Sequence, residues 1–198
     1  YASNWGGRRP DAGSTTGPAG RGTVVRVDPV RHIASEGSVS VVDLASGGVT
    51  GEILTGLHAC AMALTPDRRH LAVANAGSDT ISVIDVRTDA IVETISLRWN
   101  SIGLFGASPN ALAFDRGGGT LFVANGTQNA VAVVTFRPPA STVLGLIPVG
   151  WFPGAVVPDE ARRSLYVANI KGIGYGRQNA QTGRPEFNSH QYYGSVSL

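Results

Sequence analysis

The chain has 198 residues, 42% of them hydrophobic, with 26 glycines, 11 prolines and only 15% charged residues; this is enough apolar material for one sizeable core and too many turn formers for a helical protein. Sixteen basic and 14 acidic residues leave a formal net charge of +2, and the paired arginines Arg8-Arg9, Arg68-Arg69 and Arg162-Arg163 are scattered, which argues against nucleic-acid binding. No apolar stretch approaches the roughly 20 residues of a membrane helix, and the lone Cys60 excludes an internal disulfide, a cysteine-rich zinc site and a CxxCH haem attachment.

In chain order, the sequence opens on Tyr1-Ala2-Ser3-Asn4, a short strand ending in asparagine, and after a long Gly-rich stretch continues in the strand Val39 to Asp43. A fuller succession follows: a small-residue apolar strand Cys60 to Leu64, the turn Thr65 to His70, the strand Leu71 to Asn75, then Ile81 to Asp85 and Ala90 to Ser96. The same order recurs at Asn110 to Phe114, Leu121 to Asn125, Val131 to Val134 and Thr142 to Ile147. It begins once more at Gly154 to Val157, Leu165 to Asn169 and Ser195 to Leu198. Ala59, Pro109 and Pro153 each stand 12 residues before the leucine that opens an asparagine-ending strand, a spacing too regular for chance.

Four short antiparallel strands repeated at about 40–50 residues are the mark of a β-propeller blade. The expected fold is therefore all-β, a propeller of four-stranded antiparallel blades. About four blades are represented, the first and last incomplete, as part of a seven-bladed ring. A single partial domain, 1–198, would hold part of blade 1 in 1–57 with an insertion at 6–37, blade 2 in 58–97, blade 3 in 109–148, and part of blade 4 in 153–198 with an insertion at 170–193. Open strand edges at both ends suggest part of a longer polypeptide, or a chain that pairs with other copies. Cys60, inside an apolar run, reads as a small core residue, and the terminal asparagines read as support for their turns.

Antiparallel strands alternate ends, so the second-to-third-strand connections and the blade-to-blade links share one face. All the long connections fall there, and long loops on a rigid scaffold are where binding concentrates. That face collects Trp5, Arg8, Arg9, His32, His58, Trp99, Phe105, Trp151, Phe152, Tyr175, His190, Tyr192 and Tyr193. The candidate binding residues are Trp5, Arg8, Arg9, His58, Trp99, Trp151, Phe152, His190 and Tyr192, with His58 and Trp151-Phe152 nearest the channel mouth. The expected partner is a protein or adjacent domain, or a small ligand at the mouth. No catalytic residue, metal site or cofactor is expected: His32, His58 and His190 match no local ligand spacing, and no GxSxG, HExxH or P-loop is present.

Leu165-Tyr166-Val167-Ala168-Asn169, and Thr80-Ile81-Ser82-Val83-Ile84-Asp85 after Asn75, resemble the bacterial YVTN-type β-propeller repeat of surface-layer-like and periplasmic proteins. Ser3 to Pro10, Gly150-Trp151-Phe152-Pro153-Gly154 and the stretch Lys171 to Gln191 are similar to segments of exported propellers fused to an alkaline-phosphatase-like phosphoesterase. The resemblance implies a periplasmic or extracellular location and a non-catalytic scaffold in this chain. Any metal-dependent phosphoesterase domain would lie outside it. A third reading, a haem- or redox-cofactor-binding propeller, follows from the style of the repeat.

Overall fold

Apolar–polar alternation over runs of six or seven residues makes strands, and Pro-, Asp- and Gly-bearing turns fold them back on one another. The computed structural model describes residues 1–98, 105–174, 181–184 and 192–198, and in them there are only strands, turns and loops. The first sheet has β1 (Ala2–Asn4), β4 (Gly37–Val42) and β5 (Val49–Thr55) in the order β1-β4-β5; a separate hairpin of β2 (Thr16–Pro18) and β3 (Val24–Arg26) rises between β1 and β4. The second sheet has β6 (Ala59–Leu64), β7 (His70–Asn75), β8 (Thr80–Asp85) and β9 (Ala90–Ser96) in sequential order. The third repeats it with β10 (Pro109–Phe114), β11 (Thr120–Asn125), β12 (Ala130–Thr135) and β13 (Thr142–Pro148). The fourth has β14 (Pro153–Asp159), β15 (Ser164–Asn169) and β16 (Ser195–Ser197).

The innermost strands begin one residue earlier than the apolar run suggests, because Ala59, Pro109 and Pro153 pair with Asn75, Asn125 and Asn169. A register irregularity follows at once in each, between Ala59 and Met62, Pro109 and Ala111, and Pro153 and Ala155. Such a bulge bends the strand and increases its twist.

Apolar side chains close the gaps between sheets. Val39, Ala59, Leu71, Val73 and Ile84 form one buried cluster; Ile81, Val83, Ile95, Leu97, Leu121 and Val123 belong to a second; Ala124, Val131, Val156 and Val167 form a third. Cys60 sits at a sheet boundary, its Sγ 3.3 Å from the Pro109 carbonyl and 3.4 Å from that of Ala74. Burial pushes its thiol up from the ordinary value, which suits packing and not nucleophilic attack.

The terminal asparagines reach across to the next strand. Asn75 Nδ2 donates to Thr80 Oγ1 (3.1 Å) and Ser82 Oγ (2.9 Å), Asn169 Nδ2 to Ser195 (3.2 Å) and Ser197 (2.9 Å), and Asn4 Nδ2 to Ser40 (2.8 Å). In the third sheet the equivalent positions are Ala130 and Ala132, and Asn125 turns to Gln128 Oε1 at 2.9 Å. A glycine of the preceding link lies against two of these side chains: a Cβ at Gly56 would come within 2.8 Å of Asn75, and one at Gly150 within 2.6 Å of Asn169.

Successive sheets are also clamped through their turns. Buried Asp79, just before β8, accepts from the N–H groups of Gly106 (2.7 Å) and Ser108 (2.9 Å) in the link to the third sheet. Asn129 Oδ1, just before β12, accepts from the Phe152 N–H at 2.9 Å in the link to the fourth. Both residues have left-handed backbones, φ 55° and 53°, which Asp and Asn tolerate better than most side chains.

The long insertion between β1 and β4 is held by its own ion pairs: Arg8 to Glu36 (2.6 Å), Arg26 to Asp11 (2.8 Å) and Arg31 to Asp28 (3.1 Å). Hydrogen bonds from Arg26 hold the Asp11 carboxyl at about 2, and the Arg31 backbone N–H together with its guanidinium does the same for Asp28.

Two outcomes are expected. Asp79→Gly keeps the turn's backbone allowed but leaves two link N–H groups without their acceptor, so it should lower unfolding free energy in urea by about 2–4 kcal/mol; Asp79→Asn, which imitates the Asn129 clamp, should cost about half as much. A loss under about 0.5 kcal/mol for Asp79→Gly would remove the clamp's significance. The second concerns acid. Because Asp11 and Asp28 titrate lower when folded than when unfolded, their contribution is complete above about pH 4 and is lost as pH falls through about 2. Amide exchange of Val24–Arg26 should accelerate in that window relative to β7.

Candidate functional site

The residue immediately before each innermost strand has a left-handed backbone: His58 at φ 57°, Ser108 at 47° and Phe152 at 54°. Its carbonyl accepts from the residue after the terminal asparagine, Ala76 (3.0 Å), Gly126 (3.0 Å) and Ile170 (2.9 Å) respectively. The link and the second-to-third-strand turn are thus locked together in the second, third and fourth sheets. His58 and Phe152 stand at equivalent points of the second and fourth sheets, on the face that carries the long connections.

His58 is met there by the insertion of the first sheet. The Trp5 and His58 rings lie 5.5 Å apart between centroids and are tilted by 35°. They form one wall of a cleft of about 530 Å³, which the β2–β3 hairpin completes with Pro18, Val25 and Val27, the following turn with His32 and Ile33, and the link with Leu57. The lining is apolar apart from the two imidazoles, which is the composition of small binding clefts. Trp5 remains 44% exposed at its rim.

A second group forms at the fourth sheet. The Lys171 ammonium lies 5.3 Å from the Phe152 ring centroid and 5.6 Å from that of Tyr192, a cation held between two aromatic faces. Trp151 packs on the backbone of Gly174, whose φ of +80° and the absence of a Cβ, which would fall 2.5 Å from the indole, make the approach possible. Arg98 lies 3.5 Å from the centroid of the Phe105 ring.

Of the residues expected on this face, the structure therefore joins Trp5 with His58, and Phe152 with Tyr192, at two different sheets. Arg8 spends its charge inside the insertion on Glu36, and the Arg9 carbonyl accepts from the Arg26 guanidinium at 3.0 Å. Trp99 and His190 lie outside the described residues. Sequence reasoning did not single out Lys171 as a site residue, although the only lysine beside 15 arginines was a signal. Nor did it find a groove of about 430 Å³ on the opposite face, between the third and fourth sheets, lined by Asp115, Phe122, Ile147, Pro158, Glu160 and Leu165. Its residues are ordinary turn and strand residues with no motif to mark them. Among the described residues no three His, Cys, Asp or Glu side chains gather as a metal site.

Comparison with known proteins agrees with this architecture. A family model described as lactonase, seven-bladed β-propeller matches residues 26–148. No curated protein matches the chain. Solved structures with the same fold include a protein from Lactobacillus plantarum (18% identity, TM-score 0.58, 83% of this chain and 50% of that one), hydrazine synthase of Kuenenia stuttgartiensis (17%, 0.56, 68% and 49%) and a 6-phosphogluconolactonase candidate from Bacteroides uniformis (12%, 0.56, 76% and 46%). The chain spans about half the length of each. The repeated sheets, their order and the family match lead to one assignment: the chain belongs to the lactonase-type seven-bladed β-propeller family.

Proposed function

We propose that the chain is a non-catalytic scaffold and binding module of an exported bacterial propeller protein, which docks a protein partner, an adjacent domain or a small ligand on its long-loop face. The observation that carries this is the position of the aromatic groups. Trp5–His58 and Phe152–Tyr192 both stand on that face, whereas the opposite face is built of short turns. Partly exposed aromatic side chains, such as Trp5 and Trp151, are typical anchors of docking surfaces. The YVTN-like repeat and the segments similar to phosphoesterase fusions favour export, and they make the adjacent domain a metal-dependent phosphoesterase.

A second reading is supported by the family itself, whose name and one structural neighbour point to hydrolysis of a sugar lactone. On that reading the whole protein opens a lactone ring, and this chain supplies part of the ring of blades.

Replacing Trp151 and Phe152 together by alanine should weaken partner or domain association at least tenfold in a pull-down titration, while replacing Arg68 and Arg69 on the other face should leave it unchanged. Equal effects would remove the basis of the docking face. The readings also separate by assay: this chain should hydrolyse neither p-nitrophenyl phosphate nor 6-phosphogluconolactone above the uncatalysed rate, with or without divalent metal. Phosphate release confined to the full-length protein would favour the phosphoesterase association, and lactone opening by either form would favour the second reading.

A further inference from the structure

Asn110, the second residue of β10, carries a buried amide whose Nδ2 and Oδ1 both lack a hydrogen-bond partner among the described residues. Such an amide gives up its hydration and gains no bond in exchange, so it lowers stability. The same position holds Cys60 in the second sheet, where the Sγ reaches the Pro109 and Ala74 carbonyls, and Gly154 in the fourth, where there is no side chain at all. The repeat therefore accepts smaller residues here, and the strand itself does not require an amide.

Facing this position is the residue that follows each terminal asparagine: Ala76, Gly126 and Ile170. A Cβ at Gly126 would lie 2.5 Å from Asn110 Nδ2 and 3.1 and 3.3 Å from Cζ and Cε1 of Phe152, and a Cβ at Gly154 would lie 2.5 Å from Ile170 Cδ1. Sizes at the two positions thus compensate: the fourth sheet sets a large Ile170 against a glycine, and the third sets a large Asn110 against Gly126.

The Asn110 amide and the edge of the Phe152 ring consequently border one glycine, while the face of that ring meets the Lys171 ammonium at 5.3 Å from its centroid. The Phe152 backbone is fixed by Asn129 and Ile170, which leaves the orientation of the ring to the groups around it. Taking the docking face as its premise, we propose that Asn110 is a positioning residue of that face: its side chain props the half-buried Phe152 ring under Lys171, a task that its bulk performs and its unpaired polar atoms do not. The arrangement has an uncommon signature, since a residue kept for positioning at the expense of stability is one whose replacement strengthens the fold and loosens the site.

The test reads the ring through its neighbour. Lys171 is the only lysine, so lysine labelled with carbon-13 at the ε position gives one NMR signal, and Phe152→Leu defines the share of its ring-current shift that comes from Phe152. In reducing buffer, Asn110→Cys should remove at least half of that share and raise the melting temperature by roughly 2–4 °C. Asn110→Leu, similar in bulk and without the polar atoms, should also raise the melting temperature but retain the shift. Gly126→Ala, at a backbone outside the left-handed region, should displace the ring, whereas Gly145→Ala, with nothing near its Cβ, should not. An unchanged shift in Asn110→Cys overturns the proposal. So does a lower melting temperature in both Asn110 variants, which would make the amide an ordinary part of the fold's hydrogen bonding. If association depends on Trp151 and Phe152 while the shift does not respond, only the role of Asn110 falls; if the shift responds and association is indifferent to those two residues, the docking face falls and the support of the ring stands.

Discussion

The rest of the structure depends on a buried asparagine amide. At the end of the second strand of the first, second and fourth sheets it ties that strand to the start of the third by side-chain hydrogen bonds to hydroxyls spaced for one face of a strand, and in the third sheet it holds the turn through Gln128. A β-hairpin ordinarily takes its register from its turn. Here the register is also fixed by a side chain just inside the turn. The four residues between Asn75 and Thr80 and the much longer stretch between Asn4 and Gly37 consequently end in the same geometry. A long insertion disturbs a sheet least where the sheet is already closed beneath it.

From that constraint the placement of the site follows. Since long connections are admitted at the second-to-third-strand turn, and the blade-to-blade links emerge on the same side, the aromatic residues of both gather on one face. The links are not free to wander. Their final residue is locked to the turn by a backbone hydrogen bond, and the links into the third and fourth sheets are clamped to the preceding sheet by Asp79 and Asn129. His58 and Phe152 stand where they do because backbone geometry repeats, not because either was placed individually.

What was legible in the sequence was what repeats within a sheet. The twelve-residue offset, the alternation and the asparagines placed each second strand, and the faces followed from strand direction alone. What was not legible depends on contacts between segments that share no period. Asp79 looks like any turn aspartate until the link 27 and 29 residues away is seen to donate to it. The β2–β3 hairpin, with three-residue strands carrying Gly17 and Pro18, is too short to show alternation. Trp5 and His58 are aromatic positions in a list until the fold brings their rings together, and the sequence ordering of Arg8 and Arg9 gave no sign that one charge is consumed by Glu36.

The ion pair of Arg8 with Glu36 stands at the two ends of the insertion, where the chain leaves β1 and returns to β4. Together with the asparagine beneath it, it makes the insertion a cassette with a fixed socket. Lengthening a connection from four to about thirty residues adds only roughly 2 kcal/mol of loop-closure entropy, and the ends are held regardless of what lies between them. The segment between Arg8 and Glu36 can therefore be exchanged as a unit, with the blades left as they are.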